Sequence, residues 1–338
     1  MIVIDGAEGE GGGQVLRNAL ALSLVTGQPF RIDNIRGGRA KPGLMRQHVT
    51  AIEAACAVGD AECDGLAVGA STVSFRPGRV RPGEHRFAVG TAGSTGLVLQ
   101  AVLAPLMLAD APSRLVIDGG THASQAPPFE FIAGTLLPLL ARMGPKLCAR
   151  LVRPGFYPVG GGRIEVDIEP APLSPVEFVD RGPLVSVSAR AAVAALPRAI
   201  ADREIASARA ELPDWPEESF IVDRLPDDFG PGNVLLVEAR FAHVTEIVSG
   251  FGKFGLSAET IGRQVAGRMK GYLACDAFAG PYLADQLLLP MALAGGGMFS
   301  TVKPSAHTHT AAAVIQCFLD REIGFTQRAG GDHLIVVR

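Results

Sequence analysis

The feature that most restricts the fold is an internal repeat. GGQVLRNALALSLVTGQPFRIDNIRGG (12–38) and GSTGLVLQAVLAPLMLADAPSRLVIDGG (93–120) share one layout: a glycine-rich start, an apolar helix, a turn with proline and a strand ending in Gly-Gly. Each continues through a polar link and a proline into a second helix, KPGLMRQHVTAIEAACAVG (41–59) and APPFEFIAGTLLPLLARMG (126–144). YLADQLLLPMALAGGGMFSTV (282–302) followed by KPSAHTHTAAAVIQCFL (303–319) reads as a third copy. Strand-like pairs come next: STVSFRPG and HRFAVG, then RLVRPGFYP and GRIEVDIEP, then IGFTQRAGG and DHLIVVR. The unit is β-α-β-α-β-β, and such units bury their apolar faces against one another.

Spacing reveals an interruption. Pro42 and Pro128 lie 86 residues apart and Pro128 and Pro304 lie 176 apart, so an excess of 90 residues sits between the second and third copies. Within it, LVSVSARAAVAA, SFIVDRL, NVLLVEARF and HVTEIVSGF read as strands, and PRAIADREIASARAEL and SAETIGRQVAGRMKGYLAC as helices. The flanks PLSPVEFVDRGP and ACDAFAGP read as linkers. The expected chain is α/β (α+β): a three-repeat domain from 1–182 plus 278–338, with a small α/β domain, 183–277, inserted. Equivalent positions ten residues before Gly27, Asp110 and Gly295 are Arg17, Gln100 and Asp285. Copies packed around a common axis would bring these three polar side chains together on otherwise apolar helices.

Composition narrows the function. A net charge of −3 gives no global field for nucleic acid, so any RNA or DNA contact needs a local basic patch. The five cysteines form no CxxC pair and are expected to be reduced, which fits a cytoplasmic protein. The start has no basic stretch followed by an apolar one, so no signal peptide is expected. The most apolar run, 97–111, is too short for a bilayer and contains Gln100 and Pro105.

Four stretches carry chemistry. GAEGEGGGQ (6–14) resembles a phosphate-cradling loop but holds Glu8 and Glu10 where a lysine is usual. Carboxylates suit such a loop when a hard cation sits between them and the phosphates; Glu10 would then hold the metal. In PSAHTHT (304–310), Ser305 is a helix N-cap and His307 falls in the first turn, where the dipole keeps an imidazole neutral and draws anions. A neutral histidine beside a phosphate is a candidate nucleophile, with capping, packing or metal binding as alternatives. His309 is roughly 200° round the helix, so the two rings cannot share a target. RGGRAKPGLMRQH (36–48) gathers Arg36, Arg39, Lys41 and Arg46 into the clearest basic patch. YLADQ (282–286) places Asp285 and Gln286 at a helix start.

Together DGAEGEGGGQVLR, RGGRAKPGLMRQH, GTAGSTGLVLQ, GFYPVGGG, YLADQLLLPMALAGGG and PSAH resemble the motifs of the RNA 3′-terminal phosphate cyclases, end to end and insert included. The resemblance implies an enzyme that uses ATP to convert an RNA 3′-phosphate into a 2′,3′-cyclic phosphate through a covalent histidine–AMP. It carries the nucleophile onto His307 and not His309. It carries ATP contacts onto Gln100, Pro127, Tyr282, Leu283, Ala284, Asp285 and Gln286. Arg17, Arg36, Arg39 and Gln47 match positions near phosphates and the RNA end. Glu10 matches a ligand for Mg²⁺ or Mn²⁺. Implied partners are ATP and RNA 3′-phosphate ends, with no membrane and no obligatory protein. Ala306 occupies the variable place in PSxH, and Lys303 adds a cation just before it. The alternative is a cyclase-like ribosome-assembly factor without the chemistry, which would lack the histidine and nucleotide residues that are present here.

Overall fold

The computed structural model describes all of residues 1–338. Its first sheet is built from β1 (Ile2–Asp5), β2 (Phe30–Asp33), β3 (Glu62–Asp64) and β4 (Val73–Arg76), with α1 (Gly13–Thr26) and α2 (Arg46–Gly59) between strands. The order is β1-β2-β4-β3; β1 and β2 are parallel and the other neighbours antiparallel. The second sheet holds β5 (Glu84–Ala88), β6 (Ser113–Gly119), β7 (Lys146–Arg153) and β8 (Gly162–Glu169) in the order β5-β6-β8-β7, with the same senses. Its first helix is α3 (Thr95–Met107). The third sheet joins β9 (Val176–Phe178) in parallel to β14 (Gly297–Thr301), then β16 (His333–Val337) and β15 (Ile323–Gln327), again antiparallel. Its helices are α8 (Pro281–Leu293) and α9 (Ala306–Phe318).

Local chemistry explains these elements. In β8 the alternation is strict: Ile164, Val166 and Ile168 are buried while the charged residues between them face outward. α1 stops at Gly27, which adopts φ 71° and returns its N–H to Ser23. Ser94 and Ser305 cap α3 and α9 through side-chain oxygens that accept from Leu97 and Thr308. α1 packs on α3 and α9, and α9 packs on α8, so the three first helices and their neighbours share one apolar core with Leu20, Val98, Leu288 and Ala311 in it.

The fourth sheet comes from the excess segment. It contains β10 (Leu184–Ala194), β11 (Phe220–Arg224), β12 (Gly232–Phe241) and β13 (Thr245–Phe251), ordered β11-β10-β12-β13. α6 (Ala199–Glu211) and α7 (Ala258–Leu273) pack together and against it. Its strands pair with no strand of the other sheets. Polar contacts tie it to the rest at several points, among them Glu246 to the Gly280 N–H at 3.2 Å, Arg142 to the His243 carbonyl at 2.9 Å, Arg268 to the Tyr282 hydroxyl at 3.2 Å, the Tyr272 hydroxyl to the Phe278 carbonyl at 2.9 Å and an Arg153–Asp228 ion pair at 3.2 Å.

Three local readings differ from the structure. PLSPVEFVDRGP is not only linker, because Val176–Phe178 opens the third sheet; a three-residue strand is hidden among prolines and shows no alternation. HRFAVG supplies β5 of the second sheet and does not close the first; Glu62–Asp64 fills that place. The helix over 126–144 is broken into α4 (Phe129–Phe131), a π-helical turn at Ile132–Leu136, and α5 (Leu137–Ala141). Pro138 has no N–H to give a continuous α-helix, and the wider turn accommodates it. No helix is long and apolar enough to cross a membrane.

Candidate active site

The opening loop is shaped by glycine. Gly9 and Gly11 both adopt positive φ, 62° and 60°. A side chain on Gly9 would collide with the Thr310 hydroxyl, which accepts from the Glu10 N–H at 2.9 Å and docks the loop onto α9. Gly12 is the N-cap of α1 and provides no side-chain cap, so the first N–H groups of the helix stay free. A Cβ on Gly12 would strike the Glu10 carboxylate, and one on Gly13 the His48 ring. The loop is thus a cradle closed on one side by α9; the N–H groups of Ala7, Glu8, Glu10 and Gly11 are already bonded within it or to Thr310, and the open donors are those at the start of α1.

His307 stands at the edge of this cradle in the first turn of α9. Its Nδ1 lies 2.9 Å from Gln14 Oε1 and 3.5 Å from Glu10 Oε2. Burial, then the charges of Arg39 and Arg17, push its pKa down from 6.5. The ring is therefore neutral at pH 7. Its single proton belongs on Nδ1, which leaves the Nε2 lone pair free.

That tautomer is set by a chain of amides. Arg17 only donates, and its Nε donates to Gln100 Oε1 at 2.9 Å. Gln100 Nε2 then donates to Gln286 Oε1 at 2.7 Å, and Gln286 Nε2 to Asp285 Oδ1 at 3.1 Å. From the other side Gln14 Nε2 donates to Asp285 Oδ2 at 3.0 Å, which turns Gln14 Oε1 toward His307. An ionised Asp285 accepts from both directions and so fixes the orientation of every amide. Burial pushes the Asp285 carboxyl up to about 7, while Gln286, Arg17 and Gln14 hold it down. Arg17 is lowered to about 10 by burial and stays charged. A pocket open to solvent on one side lies among these helices, lined by Gln14, Gln100, Asp285 and Gln286 together with Leu136 and Leu140.

The repeat-equivalent Arg17, Gln100 and Asp285 therefore meet in one hydrogen-bonded network. The other expected residues spread around it. Arg39 forms an ion pair with Glu10 beside His307. Gln47 turns to the second repeat, where its Oε1 accepts from the Ser94 N–H at 3.3 Å. Arg36 folds back onto its own loop, donating from Nη1 to the Lys41 and Gly43 carbonyls. Pro127 lies beside the start of α3, its carbonyl 3.6 Å from where a Gly96 Cβ would be. Tyr282 is exposed with its hydroxyl held by Arg268, whereas the Leu283 and Ala284 side chains are fully buried in the core. Any ligand contact of those two would come from the backbone. His309 points away and lies against the Phe325 ring, centroids 4.5 Å apart. Lys303 is exposed just before α9, and Glu8 is exposed.

Two residues were not singled out from the sequence. Gln14 carries the hydrogen bond to His307; it lies three residues before Arg17 and so on the same face of α1, which is the signal that would have found it. His48 is buried, and its Nδ1 accepts from the Met45 N–H at 2.9 Å, capping α2. Burial, with Arg17 and Arg36 nearby, pushes it down to about 3, so it is permanently neutral. Its position directly after Gln47 was the available hint.

The donor set suits a phosphate-bound divalent cation. Glu10 Oε2 is buried with no hydrogen-bond partner, and no group of three His, Cys, Asp or Glu side chains converges anywhere. One carboxylate oxygen with substrate phosphates supplying the remaining ligands is the habit of Mg²⁺ sites.

Comparison with known proteins points the same way. The family model described as RNA 3′-terminal phosphate cyclase matches residues 8–325. The chain is 50% identical over 320 residues to a protein of Koribacter versatilis (strain Ellin345) named RNA 3′-terminal phosphate cyclase, covering 94% of this chain and 90% of that one. It is 46% identical over 326 residues to a protein of the same name from Ectopseudomonas mendocina (strain ymp), covering 96% and 95%. The match includes the glycine cradle and the histidine helix, and the chain belongs to the RNA 3′-terminal phosphate cyclase family.

Proposed function

We propose that this protein uses ATP to convert an RNA 3′-phosphate end into a 2′,3′-cyclic phosphate. His307 Nε2 attacks the α-phosphorus of ATP; the N–P bond forms, the bond to the bridging oxygen breaks, and pyrophosphate leaves. An oxygen of the RNA 3′-phosphate then takes the adenylyl group from His307. The adjacent 2′-OH attacks that activated phosphate, loses its proton to solvent and expels AMP. The last step is intramolecular and needs little beyond orientation.

The observation that carries this reading is the Nδ1 bond of His307 to Gln14, oriented in turn by Asp285. It supports a neutral imidazole with Nε2 unprotonated, as a nucleophile requires. The free N–H groups at the start of α1 and the guanidinium groups of Arg17 and Arg39 are suited to the charge that develops on phosphate oxygens. In this reading Gln100, Asp285, Gln286, Tyr282 and Pro127 hold the nucleotide, with Leu283 and Ala284 contributing backbone. Arg36, Arg39 and Gln47 meet the RNA end. Glu10 would hold Mg²⁺ or Mn²⁺, which when bound offsets phosphate charge. Residues 1–182 with 278–338 act as one catalytic body, and 183–277 as an insert docked on α8.

The test is incubation with ATP labelled at the α-phosphate plus Mg²⁺ or Mn²⁺, followed by denaturing electrophoresis. Acid-labile label should stay on the protein, vanish in His307→Ala and persist in His309→Ala. Equal loss in both variants would remove His307 from its assigned role. RNA ending in a 3′-phosphate should then discharge the label and acquire a cyclic end.

A further inference from the structure

The loop between β7 and β8, Phe156-Tyr157-Pro158-Val159 followed by glycines, takes no part in the site described above. Tyr157 is 77% exposed, with Val159 and Val152 also exposed near it. The loop is nevertheless held firmly. Phe156 is buried and stacks on the buried His122 ring at 5.0 Å, and the Gly160 N–H returns to the Phe156 carbonyl at 2.6 Å. The Gly155 N–H donates to Thr121 Oγ1 at 2.9 Å. His122 Nε2 in turn meets the Glu130 carboxylate at 3.0 Å, closing the loop that carries Pro127. An aromatic ring displayed on so well-anchored a loop stays exposed because its support cannot fold over it, and an apolar surface of that kind asks for a partner.

The surroundings say which partner. Gly160 lies so close to the 89–93 loop that a Cβ there would stand 2.8 Å from the Thr91 carbonyl. Arg46 holds the same loop, donating from Nε to the Val89 carbonyl at 3.3 Å, and Gln47 bonds the Ser94 N–H at its end. Arg46 and Lys41 are exposed with no carboxylate in ion-pair range, whereas Arg31, Arg39 and Arg76 nearby each have one. The 89–93 loop therefore has the loop that displays the Tyr157 ring packed on it at Thr91 and the unpaired Arg46 bonded to it at Val89, next to Gln47 at the proposed RNA-end site. Aromatic rings alternating with cations are how proteins hold a single strand: bases stack and phosphates pair.

We propose that Tyr157 is a stacking platform for a base near the RNA 3′ end, with Arg46 pairing with a neighbouring backbone phosphate. This rests on the RNA-cyclising reading. Stacking on a ring is tolerant of base identity, so the platform would favour single-stranded ends of any sequence.

The experiment is steady-state cyclisation of a short RNA ending in a 3′-phosphate, with self-adenylation by ATP measured on the same samples. Tyr157→Ala should raise the RNA KM roughly tenfold, as loss of a base–aromatic stack does, with adenylate formation retained. Tyr157→Phe should restore the KM, since the ring and not the hydroxyl is used. An RNA with abasic residues near its end should bind both proteins equally poorly. An unchanged KM in Tyr157→Ala, or a Phe variant as weak as Ala, overturns the platform while leaving the cyclase reading intact. Absence of any cyclisation by the unaltered protein would instead defeat the reading beneath it.

Discussion

Asp285 on α8 and Glu246 on β13 of the fourth sheet are both carboxylic acids pushed up by burial, to about 7 and about 8. Their surroundings differ in one respect. Both oxygens of Asp285 receive an amide N–H, and Arg17 adds a charge. Glu246 receives one N–H, from Gly280, and its Oε1 has no partner. A buried carboxylate with donors on both oxygens can ionise near neutrality; one with a single donor stays protonated. The first can orient a network that depends on its charge. The second is a neutral plug at the start of α8, joining the fourth sheet to the helix that carries Tyr282 and Asp285.

The largest effect should come from making the first acid resemble the second. Asp285→Asn has the same shape but only one acceptor oxygen. If its oxygen faces Gln14, its amide faces the Gln286 amide donor; if it turns round, Gln14 loses its acceptor and His307 its orientation. Self-adenylation should fall about 100-fold, the scale expected when a reacting group is misplaced. Glu246→Gln should keep self-adenylation within about twofold, since a neutral acid is replaced by a neutral amide. A measured loss of the same size in both would erase the distinction.

The next effect is on pH dependence. On the proposed reading adenylation needs His307 neutral and Asp285 ionised, and both conditions are met as pH rises. Asp285 is the later to deprotonate, so the acid limb of the rate should have its midpoint near 7. In Asp285→Asn the residual rate should show only the His307 limb, below 6.5. Single-turnover adenylation from about pH 5 to about pH 9 reads this directly. Coincident limbs in the two proteins would detach Asp285 from the chemistry.

How much of this was legible in the sequence follows from the kind of interaction involved. Strands such as 232–241 and helices such as 258–273 declare themselves by periodicity, and Ser305 by its capping role. The meeting of Arg17, Gln100 and Asp285 was accessible because repeats allow distant positions to be superimposed. Gln14 escaped because an uncharged amide has meaning only through its two neighbours, one on α8 and one on α9. β9 escaped because a three-residue strand is defined by its partner 297–299 across an insertion and not by its own pattern. Glu204 and Glu246 are both fully buried, and nothing in the alternation of their segments announces a buried acid.

The smallest effect is on stability, and its sign is opposite to that of an ordinary carboxylate. Glu246 is raised from 4.5 to about 8, so the folded protein keeps a proton that the unfolded chain releases. Its contribution is fully present below the unfolded value of 4.5 and is lost as pH rises through about 8, because the native state binds more protons over that window. Tyr272 is raised as well, first by burial and then by the Glu246 charge, while Arg181 lowers it. Glu246→Gln can still accept from the Gly280 N–H but has nothing to ionise. At about pH 9 it should be the more stable protein, with a higher Tm, and the difference should shrink toward about pH 5. A Tm difference that does not grow with pH, measured by thermal unfolding, would mean that Glu246 finds a second partner when it ionises and is less isolated than Asp285's contrast requires.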